Sequence, residues 1–273
     1  MIKKAYVVGN NTSKSLSPII FDYWFKKYQI NGKYNYIEIK ENNFNKEIKH
    51  ILLKKDLCGI NITIPYKERV TSFLSEIDTH SQTIGAINCI TKKELTTVGS
   101  NTDWLGVLGS IKSWEKKQID KSQKKNIATV LGFGGSAKAA IYALQYIGYK
   151  KIKVFNRSFD KIKTLKGPIF PYKLNDFINH TKEVDIVINT LPIRGYYEKI
   201  DSTNFFKNKT VGLDLAYTTK TGFLELFSDF NRINGLNMLV HQAAPCFEKW
   251  FNILPEIDNM LLATLNEKIK NIL

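Results

Sequence analysis

Two charged residues in the first half of the chain have the side chains that proton transfer needs. Lys67 ends the stretch NITIPYK, in which a β-prone run from Asn61 stops at Pro65. A lysine just past the carboxyl end of a strand lies where open α/β sheets bind ligands, and it can serve as a general acid or base. Asp103 stands at a predicted helix start, where it either pairs with Lys67 or is simply favoured by the helix dipole. A solvated surface lysine is the alternative interpretation of Lys67.

A pair of hydroxyl groups precedes the first predicted helix. Ser15 and Ser17 flank Leu16, and Pro18 follows at the expected first helical position. Hydroxyls beside a helix N-terminus suit a carboxylate, because the unpaired N–H groups and the helix dipole favour an anion. Ser17 is also a favourable N-cap, and for this stretch alone that structural role is the simpler interpretation.

A glycine-rich turn in the middle of the chain predicts a phosphate site. The apolar run Ile127–Leu131 predicts a strand, the run Ala137–Ile147 predicts a helix, and Gly132, Gly134 and Gly135 stand between them. The glycines let the backbone approach an anion closely, and the helix offers unpaired N–H groups. A tight strand-to-helix turn without a ligand is the alternative.

The end of the next predicted strand favours NADP over NAD. After Lys151–Phe155, the place where NAD-binding units carry an acid for the ribose hydroxyl holds Asn156, Arg157 and Ser158, with Lys161 one turn later. A basic, hydrogen-bonding cluster suits a 2′-phosphate. In register with the glycines, this cluster makes nucleotide binding the favoured interpretation.

Strands that alternate with helices predict an α/β protein of two domains. In front of the glycine turn we predict strands and helices at Lys4–Val8, Ile19–Gln29, Tyr34–Ile39, Phe44–Leu53, Leu57–Ile64, Lys67–Leu74, Ile87–Thr91, Thr96–Ser100 and Thr102–Trp114. After it we predict strands near Ile169 and at Val184–Asn189 and Val211–Leu215, with helices between them, and two final helices at Leu239–Leu254 and Glu256–Ile272. Residues 1–104 with 236–273 are expected to form one domain, on which the final helices pack, and residues 105–235 a Rossmann-type nucleotide domain.

The amino-acid composition limits the classes of protein and of binding partner that remain. The net charge of +15 raises nucleic acid as a partner, but the lysines are spread along the chain and only four of the 40 basic residues are arginine. No apolar run approaches the roughly 20 residues that span a membrane. The three cysteines, Cys58, Cys89 and Cys246, form no CxxC pair, which argues against zinc and a disulfide framework. We expect a cytoplasmic protein that binds a small molecule, without nucleic acid, membrane or metal.

The motifs in their order resemble the shikimate dehydrogenase family over nearly the whole chain. The resemblance rests on S-x-S-P from Ser15, NITIPYKE from Asn61, G-A-I-N from Gly85, N-T-D from Asn101, both loops of the nucleotide domain, D-L-A-Y from Asp214, and GLNMLVHQAA from Gly235. Phe133, Leu191 and Asn237 depart from the family pattern, but none of them belongs to the proposed acid–base pair.

The resemblance implies reversible, NADP-dependent reduction of 3-dehydroshikimate to shikimate on the route to aromatic amino acids. Lys67 would donate the proton to the C3 oxygen, with Asp103 as its partner. The substrate would be held by Ser15, Ser17, Thr63, Lys67, Asn88, Asp103, Tyr217 and Gln242. NADP would be held by Gly132, Phe133, Gly134, Gly135, Ser136, Asn156, Arg157, Ser158, Lys161, Leu215 and Gly235. Closure of a cleft between the two domains, and a monomeric or homodimeric state, are further expectations.

Three alternatives remain open at this point. A quinate/shikimate dehydrogenase that accepts NAD is the nearest, and the cluster at Arg157 argues against it. A regulatory protein that binds NADP without turnover is the second, and it has no need of both Lys67 and Asp103. A basic nucleic-acid binder is the third.

Overall fold

The computed structural model describes residues 2–94, 96–118, 125–180, 183–198, 200, 205–206 and 209–271. Two compact units divide the chain. Met1–Asp103 with Leu239–Lys268 form the first unit, and Trp104–Met238 with Ile269–Leu273 form the second. Each unit has a sheet of its own. The first six strands of the chain form one sheet and the last six described strands form the other.

The first unit contains a mixed sheet. Its described strands are β1 (Lys3–Gly9), β2 (Gly32–Glu38), β3 (Leu57–Ile62), β4 (Glu76–Ile77), β5 (Cys89–Lys93) and β6 (Thr96–Ser100), in the spatial order β2-β1-β3-β5-β6-β4. β1 is parallel to β2 and β3, whereas β5 is antiparallel to both β3 and β6. Because β5 runs against its neighbours, the carboxyl ends of β3 and β6 lie at the same edge of the sheet as the start of β5.

Helices from both ends of the chain cover this sheet. The described α-helices are α1 (Ser17–Lys27), α2 (Phe44–Leu52), α3 (Thr79–Ile84), α4 (Asp103–Glu115), α5 (Gly135–Tyr146), α6 (Gly235–Phe251) and α7 (Asn259–Lys270). Rings of α1 and α6 meet in the core, where Trp24 and Phe247 lie 5.3 Å apart, edge to face, and both are fully buried. Phe21 stacks on Tyr34 of β2 at 4.0 Å. The C-terminal helices therefore pack on the first unit, as predicted.

A glycine in β3 makes room for an aromatic ring of α6. A Cβ atom built at Gly59 would lie 2.1 Å from the indole of Trp250, which is far inside van der Waals contact. Trp250 is buried, and its Nε1 donates to the carbonyl oxygen of Ile90 at 3.1 Å. This close approach fixes the height of α6 above the sheet, and α6 carries Gln242 to the site described below.

The second unit contains a parallel sheet with the strand order of a dinucleotide-binding fold. Its described strands are β7 (Ile127–Leu131), β8 (Lys151–Asn156), β9 (Ile169–Lys173), β10 (Ile186–Asn189), β11 (Val211–Asp214) and β12 (Arg232–Ile233). Their order, β9-β8-β7-β10-β11-β12, equals 3-2-1-4-5-6 in chain order, and every pairing is parallel. The mixed α/β class and the Rossmann-type domain are confirmed.

Several local expectations are wrong. α1 begins at Ser17 itself with Leu16 as N-cap, so Ser17 is not the N-cap. Among the described residues, the connections from β8 to β9 and from β9 to β10 hold only short 3₁₀ turns, not the predicted α-helices. Part of the helix expected between β10 and β11 lies outside the described residues. The predicted helix Lys67–Leu74 is a 3₁₀ turn over Arg69–Phe73. β4, α3 and β12 were not foreseen, because six residues or fewer give too little periodicity to detect.

Candidate active site

A buried ion pair lies at the sheet edge where β3 and β6 end. Nζ of Lys67 donates to Oδ2 of Asp103, and the two residues are only 8% and 3% exposed. Lys67 follows β3, and Asp103 is the first residue of α4, where the helix dipole stabilises a negative charge. Removing either partner would leave a buried charge without compensation, so each group depends on the other. The solvated-surface interpretation of Lys67 is therefore wrong.

Asn88 ties the carboxylate to two further polar side chains. Its Nδ2 lies 2.7 Å from Oδ1 of Asp103, 3.0 Å from Oγ1 of Thr102 and 3.2 Å from Oε1 of Gln242. Its Oδ1 accepts the backbone N–H of Thr102 at 2.6 Å. Four residues predicted for the site thus come together: Lys67 after β3, Asn88 just before β5, Asp103 at the start of α4, and Gln242 in α6. All four are buried and fixed by hydrogen bonds, which is the preorganisation that a catalytic group needs.

Asn61 fixes the backbone of Asn88 by a hydrogen bond. Its Oδ1 accepts the hydroxyl of Tyr34 at 2.8 Å, and its Nδ2 donates to the carbonyl oxygen of Asn88 at 3.0 Å and to Sγ of Cys246 at 3.1 Å. Sequence reasoning assigned no role to Asn61, Tyr34 or Cys246. Asn61 lies in the NITIPYK stretch and could have been found there, whereas the other two carry no local signal. Tertiary packing alone brings them to the site.

The remaining substrate candidates of the first unit lie in loops. Thr63 follows β3 directly, and its backbone N–H donates to the carbonyl oxygen of Val8 at 2.9 Å. Ser15 and Ser17 lie together at the start of α1, where the N–H of Ser17 donates to Oγ of Ser15 at 3.3 Å. Ser15 is half-buried and Ser17 is buried. This arrangement offers one partly exposed hydroxyl beside a helix N-terminus, the kind of place that an anion prefers.

The glycine turn of the second unit forms an open cradle before α5. Gly132 has a φ of 103°, in the left-handed region that favours glycine, and a Cβ there would lie 2.4 Å from Oγ1 of Thr190. Gly134 is the N-cap of α5 and provides no side-chain cap, and nothing lies within 4 Å of a Cβ built on it. The open space therefore faces the positive end of a helix, which fits a phosphate group. Phe133 and Ser136 flank this space, and both are half-buried.

The residues after β8 present a cation at the same edge of the second sheet. Arg157, Ser158 and Lys161 are exposed, and Nδ2 of Asn156 donates to the carbonyl oxygen of Ser158 at 2.9 Å. Within the described part of the chain, Arg157 forms no ion pair, whereas the nearby Lys163 is paired with Asp160 at 2.9 Å. An exposed guanidinium with no acidic partner suits a ribose phosphate and does not replace the acid that NAD requires.

A buried carboxylate organises the segment after β11. Burial raises the pKa of Asp214, although hydrogen bonds from Thr221, the Ala216 N–H and Asn189 act in the opposite direction. The Thr221 hydroxyl lies at 2.6 Å and Nδ2 of Asn189 at 2.8 Å. These bonds fix the turn that carries the predicted residues Leu215 and Tyr217. Gly235 packs on the same turn, since a Cβ there would lie 2.9 Å from the carbonyl oxygens of Asp214 and Leu215.

The described residues lack two features, a metal site and a membrane-spanning helix. They contain no group of three or more His, Cys, Asp or Glu side chains arranged to hold a metal ion. They also contain no helix that combines the length and the apolar character needed to cross a membrane.

The chain matches two family models. One, described as the shikimate dehydrogenase substrate binding domain, matches residues 7–90. The other, described as shikimate / quinate 5-dehydrogenase, matches residues 114–197. The first runs from within β1 to within β5 and contains Lys67 and Asn88, and the second contains the glycine turn and the cluster at Arg157.

Relatives of known name extend these matches to nearly the full length. A shikimate dehydrogenase (NADP(+)) from Caldicellulosiruptor bescii is 34% identical, with 99% of this chain and 96% of that one aligned. The crystal structure of shikimate dehydrogenase 1 from Peptoclostridium difficile is 28% identical, covers both chains fully and has a TM-score of 0.82. A structure of a shikimate dehydrogenase in complex with NADP+ is also 28% identical, covers 100% of this chain and 96% of that one, and has a TM-score of 0.77. With Lys67, Asn88, Asp103 and Gln242 assembled at one edge of a sheet, these matches show that the chain belongs to the shikimate dehydrogenase family.

Proposed function

We propose that this chain catalyses the reversible, NADP-dependent reduction of 3-dehydroshikimate to shikimate in the biosynthesis of aromatic amino acids. The observation that carries the proposal is the buried pair of Lys67 and Asp103 with Asn88 bonded to the same carboxylate. A regulatory relative that only binds NADP has no need of this arrangement. The reaction belongs to the cytoplasm, and the enzyme acts as a monomer or homodimer.

In this proposal the first unit supplies most of the substrate residues, and the second unit binds the cofactor and supplies Tyr217. Ser15 and Ser17 hold the substrate carboxylate at the start of α1. Thr63, Asn88, Tyr217 and Gln242 contact the hydroxyl groups, since amide and hydroxyl side chains both donate and accept hydrogen bonds. The assignment is supported by the polar side chains already fixed around Asp103 in the first unit.

Lys67 supplies the proton of the reduction. NADPH, when bound, supplies the hydride that the ketone carbon C3 accepts. The C–O double bond becomes a single bond, and the negative charge that develops on oxygen is neutralised by a proton from Nζ of Lys67. The amine left behind regains its proton from solvent. In the oxidation direction the neutral amine removes the proton of the C3 hydroxyl.

Asp103 keeps Lys67 pointed at the reacting oxygen. Its Oδ2 accepts from Lys67 while its Oδ1 accepts from Asn88, so rotation of the carboxylate is blocked on both sides. A lysine side chain is flexible and can adopt many rotamers. A fixed counter-ion at the ammonium group restricts it to the orientation that the reaction needs.

The cradle before α5 and the cluster after β8 fit NADP. Gly134 leaves open space at the helix N-terminus for the pyrophosphate, together with Gly132, Phe133, Gly135 and Ser136. Arg157 pairs with the 2′-phosphate, with Asn156, Ser158 and Lys161 beside it. Leu215 and Gly235 complete the proposed cofactor contacts.

The test is a turnover assay with the purified chain. We expect rapid NADPH formation, followed by its near-ultraviolet absorbance, from shikimate with NADP, and much slower reaction with NAD or with quinate. Equal rates with NAD and NADP would be compatible with the family but would refute the proposed contact of Arg157 with the 2′-phosphate. Preference for quinate would favour the quinate-oxidising alternative. Absence of turnover in all cuvettes from folded protein would refute the proposal and favour a regulatory role.

A further inference from the structure

A side-chain amide links the two chain segments that carry the ion pair. Asn101 lies between β6 and α4 and is only 3% exposed. Its Nδ2 donates to the carbonyl oxygen of Ala86 at 2.8 Å, and its Oδ1 accepts the backbone N–H of Asp103 at 2.9 Å. One amide thus connects the segment that enters β5 with the first residue of α4.

These bonds belong to a closed circuit that contains both charged residues. The N–H of Ile87 donates to the carbonyl oxygen of Lys67 at 2.7 Å, and Ile87 is covalently joined to Ala86. From Ala86 the circuit passes through Asn101 to Asp103, whose carboxylate accepts from Lys67. A displacement anywhere in this circuit moves the two charged groups relative to each other.

We propose that Asn101 is a positioning residue for the acid–base pair, an inference that rests on the proposed function. The first N–H groups of a helix have no partner within the helix, and Asn101 supplies one to the residue that also carries the catalytic carboxylate. Its other end is anchored to the backbone of Ala86, so the amide cannot swing away. It acts through Asp103, because it binds the backbone N–H of that residue and not the carboxylate that is assigned to Lys67 and the substrate.

The inference predicts a loss of rate without a loss of binding. In Asn101→Ala we expect kcat to fall by about 10²-fold, the cost of a misplacement of about 1 Å. The KM for shikimate and the Kd for NADP change by less than about threefold, because no binding contact is removed. Asn101→Ser restores an acceptor for the Asp103 N–H and recovers part of kcat. Retention of kcat within about twofold in Asn101→Ala would overturn the inference.

A matched control separates positioning from general stability. Thr210→Val removes a buried hydrogen bond of the second unit, in which the hydroxyl donates to the carbonyl oxygen of Val184 at 2.8 Å. Both variants lower the free energy of unfolding in urea, but only Asn101→Ala lowers kcat. A comparable fall of kcat in Thr210→Val would show that lost stability causes the effect, and it would contradict the positioning role of Asn101.

A double-mutant cycle tests whether Asn101 acts through Asp103. In an Asp103→Asn background, adding Asn101→Ala should lower kcat by less than about threefold, because the carboxylate that it positions is already absent. A full second loss of about 10²-fold would show independent action and contradict the inference.

Chemical labelling of Lys67 distinguishes this inference from the proposed function. An amine-acylating reagent should label Lys67 faster in Asn101→Ala than in the wild type, as measured by peptide mass spectrometry. An inactive wild-type chain would refute the proposed function, yet the labelling rate would still decide whether Asn101 positions Lys67. Equal labelling rates in both proteins would refute the positioning role whatever the activity.

Discussion

Asn88 donates from Nδ2 to Oδ1 of Asp103 at 2.7 Å, while Lys67 donates to Oδ2 of the same carboxylate. The carboxylate is therefore held at both oxygens by groups from two different chain segments. An Asp held in this way can orient a lysine without being able to rotate towards solvent.

Lys67→Met should abolish most of the turnover. Methionine keeps much of the apolar stem but has no proton to give, and general acid–base catalysis contributes about 10²–10⁴-fold to a rate. We expect kcat to fall within that range while the Kd for NADP, measured by fluorescence titration, stays unchanged. The exposed Lys40, replaced in the same way, serves as control and should keep full activity. A nearly full rate in Lys67→Met would contradict the acid–base assignment.

Arg157→Ala should weaken NADP far more than NAD. Loss of a hydrogen bond to a charged group costs about 1.5–3 kcal/mol, which corresponds to about 10–100-fold in affinity. Calorimetric titration with both nucleotides measures the difference directly. Lys163→Ala is a close control, since that lysine is engaged by Asp160. Equal losses for the two nucleotides would refute the contact with the 2′-phosphate.

Gly134→Ala should weaken NADP without harming the fold. Nothing lies within 4 Å of the added methyl group and the backbone φ is −87°, so the change in unfolding free energy should stay within about 0.5 kcal/mol. The methyl group would enter the space reserved for the pyrophosphate and lower the affinity. Urea unfolding and nucleotide titration of the same variant measure both effects. Unchanged affinity would mean that the phosphate lies elsewhere.

Gly59→Ala should destabilise the fold without weakening NADP binding. The added Cβ would lie 2.1 Å from the Trp250 ring, and overpacking of this kind costs about 1–3 kcal/mol. Urea unfolding should reveal the loss, and NADP affinity should remain unchanged. Trp250→Phe in the same chain makes room for the methyl group, so the double variant should lose less than the sum of the single losses. Additive losses would contradict the close approach.

Asp258 should make stability depend on pH in the acid range. Burial raises its pKa, but hydrogen bonds from Lys27, the Leu261 N–H and Tyr23 outweigh burial and hold the pKa at about 2. In the unfolded chain an aspartate titrates near about 3.9, so the ionised group stabilises the fold above that pH, and the benefit is lost as pH falls towards 2.

Asp258→Asn removes this contribution. Its melting temperature should lie below that of the wild type at neutral pH, and the gap should close as the pH falls below about 4. Asp160→Asn, at a carboxylate that is 89% exposed, is the control and should show almost no gap. Circular dichroism melts across this range measure both variants. A gap that stays constant down to the lowest pH would refute the pKa assignment.

Local sequence patterns predicted the parts of the fold that depend on neighbouring residues. The strand predicted at Ile127–Leu131 is confirmed, because an apolar run that ends at a glycine turn leaves few alternatives. The helix after the glycine turn, the family resemblance and the NADP dependence of the family are confirmed. The α-helices expected between β8 and β10 were wrong within the described residues, because polar stretches without a clear apolar period do not specify a helix. The assigned roles of individual site residues stay predictions.

The sequence by itself determined which residue types were available and where the chain turns. Lys67, Asn88, Asp103 and Gln242 could be named from motifs, but their meeting could not be calculated from spacing. Gln242 lies 154 positions from Asn88, and Lys67 lies 36 from Asp103. Two features of the tertiary structure bring them together. β5 is antiparallel to β3 and β6, so its first residue lies beside the last residues of those strands. Trp250 packs directly on Gly59, which sets the distance of α6 from the sheet. Hydrogen bonds between strands and contacts between layers join residues that are far apart in sequence, so only the tertiary structure could bring these four side chains together.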